Sequence, residues 1–141
     1  MLAVLKGIDR LRTKPPKEGS QMQIESQLSD QITRYLDLSV SEAKLTAVNM
    51  ANIDTPGYRA VGMDFEAEMR EAMNGVAKGQ AARPVRIKAV DGLISRPDGN
   101  NVSMDREGLN LAEAQLRFKT GVALLHQEYQ RILDAIHSDS K

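Results

Sequence analysis

The chain is 141 residues long, with no Trp, two Phe and three Tyr, so large core-building side chains are scarce and a deeply buried enzyme core is disfavoured. Lys plus Arg and Asp plus Glu each count 19, and a formal net charge of zero supplies no global field that would draw the chain onto nucleic acid or anionic lipid. The absence of Cys removes disulfides, thiolate nucleophiles and Cys-ligated zinc together.

Residues 1–21 carry Lys6, Arg10, Arg12, Lys14 and Lys17 against Asp9 and Glu18, and they include Pro15-Pro16 and Gly19. Adjacent prolines stop a helix, so this segment is expected to be a mobile leader. The apolar run Met1 to Leu5 is too short for a secretory signal core. Nowhere do about 18 apolar residues run together, the minimum for a membrane-spanning helix.

From Ile24 the pattern changes. Ile24, Leu28, Ile32, Leu36, Val40, Ala43, Ala47 and Met50 recur at steps of three or four, which places them on one helical face and predicts a helix over residues 23–51. Leu38, Leu45 and Val48 form a second stripe beside the first, so the C-terminal end of this helix is expected to be buried on more than one side.

Residues 53–104 are punctuated by Thr55-Pro56-Gly57, Asn74-Gly75, Arg83-Pro84 and Arg96-Pro97-Asp98-Gly99-Asn100-Asn101, which predicts loops and short elements. Phe65, Met69, Ala72 and Met73 suggest a short helix. Val85, Ile87 and Ala89 alternate with Arg86 and Lys88 as an exposed strand does. Asp91-Gly92 would turn that strand back on Leu93 and Ile94 as a small β-hairpin.

A second long helix is predicted over residues 106–137, because Leu111, Ala114, Phe118, Val122, Leu125, Tyr129, Ile132 and Ile136 again step by three or four. Ser103 or Asp105 suits its N-cap, and Asp105 and Glu107 complement the positive end of the helix dipole. Gly121 costs such a helix about 1 kcal/mol relative to Ala, and two explanations remain open: close approach of another backbone, or simple tolerance. The expected fold is mainly α, one domain over residues 22–141. Its two long terminal helices pack coiled-coil-like, through Ile32, Leu36, Val40 and Leu45 on the first and the stripe above on the second. The same stripes would suit neighbouring subunits.

The most informative stretch is Asn49-Met50-Ala51-Asn52-Ile53-Asp54-Thr55-Pro56-Gly57-Tyr58-Arg59-Ala60, followed by Asp64-Phe65. Asn49 and Asn52 share one face at a helix end, where carbonyls lack intrahelical partners and side-chain amides can supply hydrogen bonds. Pro56-Gly57 suits the two central positions of a type II turn, since proline fixes the first φ and glycine accepts a positive second φ. Tyr58 offers a flat ring to pack on the helix end and a hydroxyl for a polar partner.

This stretch resembles the N-terminal signature of the flagellar rod and hook axial proteins, Asn-x-Ala-Asn-x-x-Thr-Pro-Gly-Tyr-Lys/Arg-Ala, with every fixed position present. The sequel Asp64-Phe65, the run Asn101-Val102-Ser103-Met104-Asp105-Arg106-Glu107 and then Leu116-Arg117-Phe118 are similar to the proximal rod members of that family. The resemblance spans roughly residues 22–137. It implies a structural subunit of the basal-body rod in the periplasm that transmits motor torque, self-assembles with the rod subunits FlgC, FlgF and FlgG, and meets the adaptor FliE and the membrane ring. It also implies passage through the flagellar type III export apparatus. The assembly residues so implied are Asn49, Ala51, Asn52, Thr55, Pro56, Gly57, Tyr58, Arg59, Ala60, Asp64 and Phe65. Residues 1–21 lie ahead of where such proteins begin, which leaves a start at Met22 as the alternative to a leader.

Catalytic chemistry has little to stand on. His126 and His137 lack the spacing to a second ligand that a metal needs, and no phosphate loop, dinucleotide turn or nucleophile elbow is present, so no cofactor is expected. Met50, Met63, Met69 and Met73 fit irregular packing better than a binding groove. The competing classes are another proximal rod protein of the same family, a cytoplasmic helical adaptor or export chaperone, and a wall-cutting hydrolase. The adaptor or chaperone leaves the Asn-x-x-Asn and Thr-Pro-Gly-Tyr elements without a purpose, and the hydrolase needs catalytic carboxylates in a formed cleft.

Overall fold

A computed structural model of the chain describes residues 27–138, so the expected leader, the Met22 start and the first residues of the first helix lie outside the described residues. The elements run α1 (Gln27–Ala51), β1 (Val61–Gly62), α2 (Phe65–Ala77), β2 (Lys88–Ala89) and α3 (Met104–Ser138). The architecture is mainly α, with the two long helices packed on each other and a two-stranded sheet in the middle segment.

Contacts of Asn49 with Glu107, Glu42 with Arg117, and Leu36 with Gly121 make α3 antiparallel to α1. The buried positions of α3 are Glu107, Ala114, Gly121 and Glu128, a strict seven-residue repeat, and Ile32, Ser39 and Thr46 follow the same repeat on α1. Seven residues are close to two helical turns, so each set forms one straight seam. The seam is lined mainly by small side chains, which let the helices approach closely. The buried Ser39 hydroxyl in it is satisfied, because Ser39 Oγ donates to Tyr35 O at 2.8 Å.

Gly121 sits where the approach is tightest. A Cβ built there would lie 2.7 Å from Leu36 Cδ2 and 3.1 Å from Tyr35 Cδ1. Close approach is therefore the reason for this glycine, with the Leu36 side chain rather than a backbone filling the space.

The large apolar residues stand beside the seam. Of the α3 stripe, Leu111, Leu125 and Ile132 are half-buried, whereas Phe118, Val122, Tyr129 and Ile136 are exposed. On α1, Ile32 and Leu38 are buried and Leu36, Val40 and Leu45 half-buried. Ala47 and Val48 are exposed, so the end of α1 is not enclosed on several sides as its second stripe suggests.

Helix α2 is closed at both ends by local signals. Asp64 is its N-cap, accepting from Ala67 N at 2.9 Å. At the other end Gly79 takes φ +64, with Gly79 N donating to Val76 O and Gln80 N to Gly75 O, the bond pair of a Schellman motif. Phe65 docks the helix on the α1/α3 pair: its ring meets Tyr35 edge-on at 5.5 Å, and the Arg117 guanidinium lies 4.3 Å above it.

The middle strand pairs differently from the expected hairpin. Lys88–Ala89 lies antiparallel to Val61–Gly62, with Val61 opposite Ala89, and not against Leu93-Ile94. The chain does bend at Gly92, φ +76, but Ile94 is left exposed. Val61–Gly62 wins because it is already held against the end of α1, and Val90 N extends the pairing by donating to Ala60 O at 2.8 Å.

Since the Gly121 site has no room for a branched side chain, Gly121→Val is expected to destabilise the protein by about 1–3 kcal/mol, the usual cost of overpacking. Combining it with Leu36→Ala should recover part of that loss in thermal unfolding; additive losses in the double variant would contradict the contact.

Candidate functional site

The signature residues from Asn49 to Ala60 gather where α1 ends, whereas Phe65 and the quoted Leu116-Arg117-Phe118 lie away from it. Asn49 is buried in the last turn of α1, and its amide is fully used. Nδ2 donates to Val61 O at 2.8 Å and to Glu107 Oε2 at 3.0 Å. Oδ1 accepts from Val61 N at 3.0 Å and from the Tyr58 hydroxyl at 3.1 Å. One side chain thus holds both backbone groups of Val61, the ring closing the turn, and the first turn of α3.

Asn52 works locally. Its Nδ2 donates to Val48 O at 2.8 Å and its Oδ1 accepts from Thr55 Oγ1 at 3.2 Å, so it stitches the frayed end of α1. Thr55-Pro56-Gly57-Tyr58 then forms the predicted turn: Tyr58 N donates to Thr55 O at 3.2 Å, and Gly57 has φ +72. Thr55, Pro56, Gly57, Arg59 and Ala51 are exposed, while Ala60 is wholly buried. Asp64 and Phe65 lie at the start of α2, one capping it and the other docking it.

Reasoning along the sequence missed the far side of this joint. Asn100 is fully buried, and its Nδ2 lies 2.8–3.0 Å from the carbonyl oxygens of Asn52, Ile53 and Thr55. The Arg96 guanidinium also donates to Ile53 O. Asn101 Oδ1 accepts from Ala60 N at 2.7 Å. A turn prepares these groups: Gly99 N donates to Arg96 O, Arg96 N to Asn100 O, and Asp98 O accepts from Gly57 N at 2.8 Å. Gly99, φ +84, brings its backbone against Gly57, where an added Cβ would stand 3.4 Å from Gly57 Cα. The sequence signals were the pair Asn100-Asn101 directly after Pro-Asp-Gly, which reads as an ordinary turn, and the run Asn101 to Glu107 quoted for the family resemblance, neither of which points to a partner at the end of α1.

Electrostatics at the joint is mostly that of neutral amides. Glu107 is a buried carboxylate in the first turn of α3, where Ser103 occupies the N-cap position with its carbonyl accepting from Glu107 N. The cation in the joint is Arg96, donating to Ile53 O, and further along α3 Arg117 is bonded to Glu42 and to Glu113. Partial burial works against its charge, but the hydrogen bond to Glu42 and the charges of Glu42 and Glu113 outweigh that and hold its pKa above the ordinary arginine value. Arg117 therefore stays cationic over Phe65 at every working pH. Among the described residues, no group of three or more His, Cys, Asp or Glu is placed to hold a metal, and no helix is long and apolar enough to cross a membrane.

An antiparallel helix pair, locked at one end by a satisfied polar joint and lined outside by exposed apolar side chains, defines a helical structural subunit. No family model matches the chain. It is 32% identical to the flagellar basal body rod protein FlgB of Salmonella typhimurium, over 72% of this chain and 86% of that protein. It is likewise 33% identical to FlgB of Cereibacter sphaeroides, over 74% and 89% of the two chains, and 29% identical to FlgB of Escherichia coli, over 73% and 88%. The chain belongs to the FlgB family of flagellar basal body rod proteins, structural components of a motility organelle.

Removal of the Asn49 amide strands the Val61 backbone pair, the Tyr58 hydroxyl and the Glu107 carboxylate. At about 1–3 kcal/mol for a buried group left unsatisfied, Asn49→Ala is expected to lose roughly 3 kcal/mol in urea unfolding. A loss below about 0.5 kcal/mol, the usual range of a surface substitution, would show that water replaces the amide and that the joint does not depend on it.

Proposed function

We propose that this chain is a subunit of the proximal rod, a non-enzymatic part of the shaft that carries motor torque across the periplasm. The observation that carries the proposal is the exposed flank of α3. Phe118, Val122, Tyr129, Leu133 and Ile136 all lie on one side of the seam with 41–55% of their surface exposed. A run of large apolar groups along one helix edge is a surface that association would cover. The family supplies the setting, since its members are named as basal body rod proteins.

In this proposal the partners are further copies of the chain and the rod subunits FlgC, FlgF and FlgG, with the FliE adaptor and the membrane ring at the inner end. The subunit would reach them through the flagellar type III apparatus. Residues 27–138 would form the packed subunit and the signature residues from Asn49 to Phe65 its rigid end, while the stripe on α3 would meet neighbours. Torque suits this division of roles: a rigid joint keeps the angle between helices, and a broad apolar flank spreads the load over many weak contacts.

The direct test is deletion of the gene in its host, with swimming scored and purified envelopes inspected for rods and hooks. Membrane rings without rods, restored by chains beginning at Met1 or at Met22, are expected; intact rods and swimming after deletion would refute the proposal. A second test separates folding from assembly. Val122→Asp with Ile136→Asp should leave the circular dichroism of the free subunit unchanged and abolish swimming, because both side chains are exposed in the subunit. Normal swimming in that variant would remove the flank from the interface.

A further inference from the structure

The two sides of the α1/α3 pair are unequal. Tyr35, Glu42 and Arg117 each follow a seam residue by three positions, and Phe65 of α2 packs on Tyr35 and Arg117, so α2 covers that side. Residues one or four positions after a seam residue lie on the opposite side of both helices. There stand Leu36 and Val40 on α1, half-buried, and Phe118, Val122, Tyr129 and Ile136 on α3, exposed. At their seven-residue spacing these rows hold no Asp, Glu, Lys or Arg on either helix. Among the described residues no helix or strand packs over them.

The size of this bare face and the charges along its rim both bear on what covers it. The 25 residues of α1 run about 38 Å, and two helices of about 10 Å each make the face roughly 20 Å wide, which gives on the order of 750 Å². A specific interface needs about 800 Å² per partner, so the face is large enough for one. One row further out stand Asp30 and Asp37 on α1 and Lys119 and His126 on α3, all exposed. The contacts of Asn49 with Glu107, Glu42 with Arg117 and Leu36 with Gly121 fix which positions stand at equal height. By that register Asp37 is level with Lys119, Asp30 with His126, and Lys44 with Ala112 and Glu113. Asp37 has only a loose partner within the subunit, Arg34 at 3.8 Å.

We propose that this face pairs with the same face of a second copy of the chain, about a two-fold axis parallel to the helices. The proposal rests on the reading of the α3 flank as an assembly surface and names what covers it. Rotation about such an axis preserves the direction of each copy and sets α1 of one beside α3 of the other at equal height, so that all four neighbouring helices are antiparallel. Asp37 of each copy then faces Lys119 of the other, and Asp30 faces His126. A two-fold axis across the helices would set α1 against α1 and lose these pairs between α1 and α3. The uncharged rows supply the affinity, and the rim pairs select the orientation.

The experiment uses the full chain, with sedimentation velocity over a concentration series reading the monomer–dimer equilibrium and circular dichroism reading helix content. The parent is expected to dimerise. Asp37→Lys alone and Lys119→Asp alone should each raise the dissociation constant roughly three- to tenfold, since a dimer loses two exposed pairs, and the double variant should recover most of that loss. Val122→Asp should raise it more than about tenfold with helix content unchanged. A parent that stays monomeric overturns the proposal, and so does a double variant no better than the worse single, or a dimer indifferent to Val122→Asp. The gene deletion described above separates the two levels: rods missing after deletion, with a monomeric parent, remove the second copy as the occupant and leave the rod assignment standing.

Discussion

The carbonyl end of α1 is the constraint around which the molecule is arranged. A helix leaves its last carbonyls without partners, and burial of that end obliges some other group to meet them. Here Asn52, through its N–H and Nδ2, and Ile53 N meet the last carbonyls of α1, and Asn100 and Arg96, more than forty residues away, meet those of Asn52, Ile53 and Thr55 in the turn just beyond. Because Asn49, one turn earlier, reaches across to Glu107, the end of one long helix and the beginning of the other belong to a single hydrogen-bonded unit. The position of β1 follows from the same side chain, since Asn49 holds both backbone groups of Val61 as a neighbouring strand would. The placement of β2 follows from β1.

Once the ends are joined, the seam can be narrow. Ser39 and Thr46 on α1 and Ala114 and Gly121 on α3 occupy positions where a self-sufficient helical hairpin would carry Leu or Ile. Small residues bring the helices together but bury little apolar area, and each large side chain displaced from the seam moves to a flank. The subunit therefore gives up internal apolar burial and gains an outer apolar surface. For a free-standing domain that exchange is unfavourable; for a subunit that gains surface contacts on assembly it is a sensible division.

How much of this is legible in the sequence depends on the range of the interaction. Both long helices are visible in the three-and-four stepping of Ile, Leu and Val, and the turn at Thr55 to Tyr58 is visible in Pro56-Gly57, because both depend on neighbours within a few residues. The seam is harder to see. Counting large apolar residues selects Phe118, Val122, Tyr129 and Ile136, yet the buried line of α3 runs through Glu107, Ala114, Gly121 and Glu128, a repeat of seven in residues that hydropathy does not mark. Gly121 was the one visible clue, and its meaning needed Leu36. The partner of β2 was misjudged for a related reason: Asp91-Gly92 is a credible local turn, but a strand edge already anchored by Asn49 outcompetes Leu93-Ile94. The roles of Asn100 and Glu107 were illegible, since nothing near either residue announces a partner 45 or 58 positions away.

The contrast between joint and flank also explains why the recognisable stretch is polar and turn-forming while the apolar stripes are unremarkable as sequence. Amide and carbonyl groups bond only over a narrow range of distance and angle, and φ near +72 at Gly57 or +84 at Gly99 excludes almost every other residue. Each position of the joint thus tolerates few side chains. Apolar contact is non-directional and roughly proportional to area, so a flank can exchange Val for Leu or Ile with small effect. A chain built this way concentrates its specificity at one end, where geometry must be held, and leaves its long outer surface tolerant of exchange among apolar side chains.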